Sequence, residues 1–129
     1  NGVNSRKNFY DNGAGLSRLT SIRPDTLFDL LQTIYRHSAS SIIMSSLPIS
    51  GIDGTLSNRF KSPMLRERMR LKTGTLDGVR ALAGYVTGLS GPEDIVVYIH
   101  NDLSEVSYQT KKFENALFEW IVDDKDRML

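Results

Sequence analysis

Two short runs rich in strand-forming residues, Arg80 to Thr87 and Ile95 to His100, are separated by a turn-rich link, Gly88-Leu89-Ser90-Gly91-Pro92, followed by Glu93 and Asp94. A link so short and so rich in turn residues leaves two neighbouring strands little choice but to pair antiparallel. A third stretch, Lys72-Thr73-Gly74-Thr75, reads as entering a strand just upstream, so the three together predict an antiparallel meander. Downstream, Phe113, Ala116, Leu117, Trp120 and Ile121 fall on one face of a helix running from about Ser107 to Val122. The expected architecture is α+β, a sheet of about three strands backed by a C-terminal helix and one upstream helix.

That upstream helix is signalled by Pro24 at a first helical position, by Asp25 and Asp29 near the positive N-terminal end, and by Leu27, Leu30, Leu31, Ile34 and Tyr35 at helical spacing. Their shared face is expected to be buried. Before it, Asn12-Gly13-Ala14-Gly15 reads as a turn. Between Ser38 and Ser62 the chain mixes serines, glycines and short apolar groups, which predicts a short helix or turns near Ile42 to Leu47 and then a long loop. Residues 1–10 read as a disordered or cut end and 123–129 as a solvated tail. The whole of 1–129 is expected to be part of a single domain.

Composition narrows the classes of function. Sixteen basic and fifteen acidic residues give a net charge of +1, so no whole-chain field exists to hold nucleic acid. There is no cysteine, which removes disulfides, a thiolate nucleophile and cysteine-bound metal. The longest apolar runs, such as Ile95-Val96-Val97-Tyr98-Ile99, are far too short to cross a bilayer. The cluster Arg59, Lys61, Arg66, Arg68 and Arg70 reads as a solvated face.

Most familiar catalytic patterns are missing. The chain has no Gly-x-Ser-x-Gly elbow, no His-Glu-x-x-His, no Gly-x-x-x-x-Gly-Lys and no Gly-x-Gly-x-x-Gly. His37 and His100 lack flanking acids that would suggest a triad or a metal site, so neither metal nor cofactor is expected. Lys72-Thr73-Gly74 stands out because the tripeptide belongs to a set used with Ser-x-x-Lys and Ser-x-Asn in β-lactamases and penicillin-binding proteins. Alone it is a weak signal. It is reinforced by two upstream blocks in fixed order, Asn12-Gly13-Ala14-Gly15-Leu16-Ser17-Arg18 and Leu47-Pro48-Ile49-Ser50-Gly51-Ile52-Asp53-Gly54-Thr55-Leu56.

With Lys72-Thr73-Gly74 as the third, these blocks resemble the low-molecular-mass penicillin-binding proteins of the D-Ala-D-Ala carboxypeptidase and endopeptidase type. The resemblance runs from about Asn12 to the final helix. It implies the C-terminal half of a β-lactamase/transpeptidase-like domain. The chain departs from the family at position 12, asparagine for aspartate, and at position 14, alanine for serine. It departs further in its motifs: the residues three before its lysines are Asn4, Asn58, Met69, Tyr108, Gln109 and Val122, never serine, and no serine stands two before an asparagine. The resemblance therefore places the nucleophile and the middle motif upstream of Asn1, with this chain inactive alone.

What the resemblance implies for the residues present is acyl transfer from a D-Ala-D-Ala terminus to a serine and then to water. Lys72 would set a positive charge near the substrate carboxylate, and Thr73 would offer it a hydroxyl. Gly74 would let an extended peptide lie along the strand edge. The backbone N–H of Thr75 would be one of two oxyanion donors. Partners would be peptidoglycan peptides and, for the parent protein, β-lactams, in a periplasmic or extracytoplasmic setting. Asp77 and Arg80 are expected to make a surface pair or a turn contact instead. A fragment of this kind is also expected to self-associate through uncovered apolar surface. The competing readings are a non-catalytic peptidoglycan-binding or interaction domain with the same fold and, further off, an unrelated module in which the tripeptide is accidental.

Overall fold

The computed structural model of the chain describes residues 8–89, 92–101 and 108–128. In chain order come helix α1 (Pro24–Arg36), a short helix α2 (Ser40–Ser45), a 3₁₀ turn (Gly54–Leu56), strands β1 (Met69–Leu76), β2 (Val79–Val86) and β3 (Asp94–Asn101), and helix α3 (Tyr108–Arg127). The strands form one antiparallel sheet in the order β1-β2-β3, the meander that the turn-separated runs predict. Ser90 and Gly91 of the second link, and Ser107 at the expected helix start, lie outside the described residues.

β1 and β2 are joined through Asp77-Gly78, with Leu76 opposite Val79. Such a two-residue hairpin needs positive φ, which Gly78 supplies at 73°. The register then places Leu71 opposite Gly84, Thr73 opposite Leu82 and Thr75 opposite Arg80. A Cβ on Gly84 would stand 2.1 Å from the Arg70 carbonyl oxygen, so glycine at this position is what lets the two strands close.

Side chains alternate across the sheet, and its two faces differ. Met69, Leu71, Leu82 and Val86 point to the α3 side, where they join Leu56, Phe60 and Leu65 from the long loop and Phe118 and Val122 from α3 in the buried core. Each such side chain withdrawn from water contributes about 1.5–3 kcal/mol. The other face carries Tyr85, whose hydroxyl donates to the Leu31 carbonyl of α1 at 2.9 Å and whose ring lies 6.0 Å from that of Tyr35.

The helices depart from their expected faces. On α3 the buried residues are Glu114, Phe118 and Val122, whereas Phe113 and Trp120 are 59% and 64% exposed. Leu117 and Ile121 are half-buried, so the inward face is rotated from the apolar stripe. The reason is Glu114, whose carboxylate meets two guanidinium groups inside. On α1 only Thr26 is buried, and Leu30 is exposed, because the helix packs on β3 and nothing described covers its other side. α3 also runs on to Arg127 where a tail is expected after Val122. Lys125 pairs with Asp94 at 2.9 Å and Asp126 with Arg68 at 2.7 Å, which hold the last turns to the sheet and loop. At the other end residues 1–7 lie outside the described residues, while Phe9 pairs with Ser21 through two 2.8 Å backbone hydrogen bonds.

Candidate active site

β1 is an edge strand, and its two halves are finished differently. The Leu71 N–H donates to the Pro48 carbonyl at 3.0 Å, and the Ser50 N–H donates to the Met69 carbonyl at 3.0 Å. Ser50 Oγ, wholly buried, accepts the Met69 N–H at 3.1 Å and donates to the Leu65 carbonyl at 2.6 Å. The segment 48–50 thus covers the outer edge of β1 at 69–71. Backbone groups in an antiparallel strand alternate between partner side and outer side. Because Leu71 directs its N–H outward, Thr73 and Thr75 direct theirs outward too. Segment 48–50 does not reach them, and among the described residues no backbone group pairs with this part of the edge.

Lys72, Thr73, Gly74 and Thr75 are all placed at this opening. Lys72 is exposed and its Nζ donates to the Thr73 carbonyl at 2.7 Å. Thr73 Oγ1 donates to Thr55 Oγ1 at 3.0 Å. Gly74 has no steric reason of its own to be glycine: a Cβ there would meet only the Ala81 Cβ at 3.5 Å, an ordinary contact.

The two upstream blocks converge on β1 from opposite ends. The second block supplies the edge cover at 48–50 and then carries Thr55 to the side of Thr73. Its loop is internally held: Asp53 Oδ1 accepts the Ile49 N–H at 2.6 Å, and Leu56 is fully buried. The first block is a self-bonded turn, with Asn12 Oδ1 accepting the Ala14 N–H at 2.9 Å and Asp11 Oδ2 accepting from both Asn12 Nδ2 and Ser17 Oγ at 2.7 Å. Arg18 docks it on the β1–β2 turn, 3.3 Å from Asp77 Oδ2. Both partners are exposed, so the pair positions more than it stabilises. A pocket of about 280 Å³ lies between Ser17, Arg18, Leu76, Val79 and Ile99 at this end of the strand.

Behind the strand lies a charged cluster. Arg80, directly across from Thr75, is buried and not a surface residue: its Nε and Nη2 donate to Glu114 at 2.8 and 3.0 Å. Arg59 reaches the same carboxylate at 2.5 Å, so one fully buried acid serves two bases. Burial holds Arg59 below its usual pKa, while the attraction of Glu114 works the other way. Burial also raises the phenol of Tyr98, whose ring lies parallel to His100 at 6.5 Å and whose hydroxyl has no hydrogen-bond partner among the described residues.

The expected solvated basic face is therefore only partly so. Arg59 and Arg68 turn inward to acids on α3, because Glu114 and Asp126 lie within reach. His37 stays exposed and accepts the Ala39 N–H at its Nδ1. Among the described residues no group of three metal-ligating side chains gathers, and no helix is long and apolar enough to cross a membrane. Two partners of the strand escaped sequence reasoning. Thr55 lay within a quoted block without a role, and Glu114 is legible only once α3 is docked.

The comparisons with known proteins agree with this geometry. The chain is 33% identical to the D-alanyl-D-alanine carboxypeptidase DacB of Haemophilus influenzae, over 92% of its own length and 26% of that protein's. It is 36% identical to a D-alanyl-D-alanine carboxypeptidase of Actinomadura sp. (strain R39), over 70% of its length and 18% of that protein's. It thus spans about a quarter or less of these curated relatives. Its structure superposes on the crystal structure of penicillin binding protein 4 from H. influenzae with a TM-score of 0.84 at 30% identity, covering 94% of this chain and 29% of that one. A second structure of that protein, complexed with a novel beta-lactam, gives 0.80 at the same identity, over 90% of this chain and 28% of the other. The D-Ala-D-Ala carboxypeptidase 3 (S13) family matches residues 1–122. The sheet, the three converging blocks and these matches together establish that the chain belongs to that family.

Proposed function

We propose that the chain forms one wall of the acyl-transfer site of a serine-type D-Ala-D-Ala carboxypeptidase acting on peptidoglycan stem peptides, with the Ser-x-x-Lys nucleophile on sequence upstream of Asn1. The observation that carries this reading is the open edge of β1 at Thr73 to Thr75, beside the exposed ammonium of Lys72.

In this reading the peptide's terminal residues lie along that edge as an added strand. The Lys72 ammonium exchanges the Thr73 carbonyl for the terminal carboxylate, a stronger acceptor because it is charged. Thr73 gives the carboxylate a hydroxyl. Gly74, which the fold itself does not require, leaves room for the substrate. As the serine oxygen of the parent enzyme attacks the carbonyl between the two D-Ala residues, negative charge builds on the carbonyl oxygen. The outward N–H of Thr75 is one donor to it, worth about a hundred- to a thousandfold in rate. The C–N bond then breaks, free D-Ala leaves with a proton on its nitrogen, and water hydrolyses the acyl-enzyme. The same wall would take β-lactams, and endopeptidase cleavage of cross-linked peptides belongs to the same chemistry. Peptidoglycan substrates set the work outside the cytoplasm, in a periplasmic or other extracytoplasmic setting.

Lys72→Ala in the longer enzyme is expected to slow D-Ala release from a D-Ala-D-Ala peptide by about a hundredfold or more, in line with the loss of a charge-stabilising group. The 129-residue chain alone is expected to form no covalent penicillin adduct by intact mass. Full activity in the variant, or an adduct on the isolated chain, would sink the proposal.

A further inference from the structure

Thr55 has no role in the reading above, yet its position is unusually determined. Leu56, the next residue, is wholly buried in the core. Gly54, the residue before, adopts φ 50° and packs so closely on Pro48 that a Cβ would stand 3.1 Å from its ring. Pro48 in turn accepts the Leu71 N–H of β1. The turn is thereby fixed both to the core and to the strand, and Thr55 is delivered to the open part of the edge.

Nothing in the fold asks for a hydroxyl there. The side chain is exposed, and Asp53, not Thr55, stands at the cap position of the 3₁₀ turn. Among the described residues its hydrogen bond is the 3.0 Å one to Thr73 Oγ1. A hydroxyl can donate once and accept, and its hydrogen rotates to suit the partner. When Thr73 turns its own proton onto a carboxylate, its oxygen becomes free to accept, and Thr55 is the donor already within reach.

We infer that Thr55 is a positioning residue for carboxylate recognition: its O–H donates to Thr73 Oγ1 and so directs the Thr73 proton, beside the Lys72 ammonium, onto the terminal carboxylate of the substrate. This rests on the acyl-transfer reading of the same strand. The directed pair favours an acceptor-only group, because a carboxylate takes both the Thr73 proton and the Lys72 charge, whereas a terminal amide offers no charge for either.

The test uses the longer enzyme with Thr55→Val, Thr55→Ser and Lys72→Ala, a peptide ending in D-Ala-D-Ala as substrate, and its C-terminal amide as a competing ligand. Thr55→Val is expected to raise KM for the acid about tenfold, the size of one lost hydrogen bond in a charged network, with kcat within about twofold. The inhibition constant of the amide should stay within about twofold and Thr55→Ser should restore KM. An unchanged KM in Thr55→Val, or an equal loss for acid and amide, would overturn the inference; equal loss would mark a structural role even if the variant also melts lower. If Thr55→Val is silent while Lys72→Ala is damaging, this inference alone fails. If Lys72→Ala is silent too, the acyl-transfer reading fails with it.

Discussion

The first half of β1 and its second half are one continuous strand paired to one partner, yet their outer edges are treated in opposite ways. At Met69 to Leu71 the backbone is covered by 48–50, Ser50 is wholly buried, and Gly84 of β2 is forced to be glycine by the Arg70 carbonyl. At Lys72 to Thr75 the outward backbone groups have no backbone partner among the described residues, the side chains are two hydroxyls and an ammonium that donates to the Thr73 carbonyl, and Gly74 faces only ordinary contact. Packing constrains the first half; the second half is held in shape by the first and left available. An exposed strand edge invites pairing, and the half left without a partner among the described residues is the half that the proposed substrate strand would occupy.

The sharpest break of this contrast is Gly84→Ala. A Cβ at 2.1 Å from a backbone oxygen, at a φ of 155°, must push β1 away, and a loss of about 3 kcal/mol or more is expected in chemical denaturation. Next comes Ser50→Ala, which orphans the buried Met69 N–H and leaves the Leu65 carbonyl with the Arg68 N–H alone among the described residues, and which should cost about 1–3 kcal/mol. A stability equal to the parent chain in either variant would mean that the first half is not the sealed one. Gly74→Ala, by contrast, should change stability by less than about 0.5 kcal/mol while weakening binding of D-Ala-D-Ala peptides to the longer enzyme. Finally, burial raises the phenols of Tyr85 and Tyr98 above their ordinary value near 10. Folding then keeps protons that the unfolded chain gives up, so this stability is complete below about pH 10 and is lost as pH rises through the folded values. Melting temperatures should fall between about pH 9 and about pH 11, and a Tyr85→Phe chain should fall less.

The strands were legible because apolar runs between turn residues leave few alternatives, whereas the tight turn at Asp77-Gly78 emerged only with the register of β1 on β2. The inward face of α3 was not. Phe113, Ala116 and Trp120 read as the buried stripe, but a helix turns the face that satisfies its partners, and here Glu114 is drawn in by Arg59 and Arg80 from distant parts of the chain. For the same reason Arg80 read as a surface residue: its only clue was a carboxylate 34 residues away. The extension of α3 to Arg127 likewise depends on Lys125 and Asp126 finding Asp94 and Arg68.

By itself the sequence determined the meander, the upstream helix, the three ordered blocks and the resemblance that their order carries, because each is a matter of local pattern. Only the tertiary structure decided that the blocks meet on one strand, that half of its edge is sealed and half open, and that Thr55 stands beside Thr73. Those are facts of hydrogen-bond parity and of charges paired across long stretches of chain, and neither is written in the spacing of neighbouring residues.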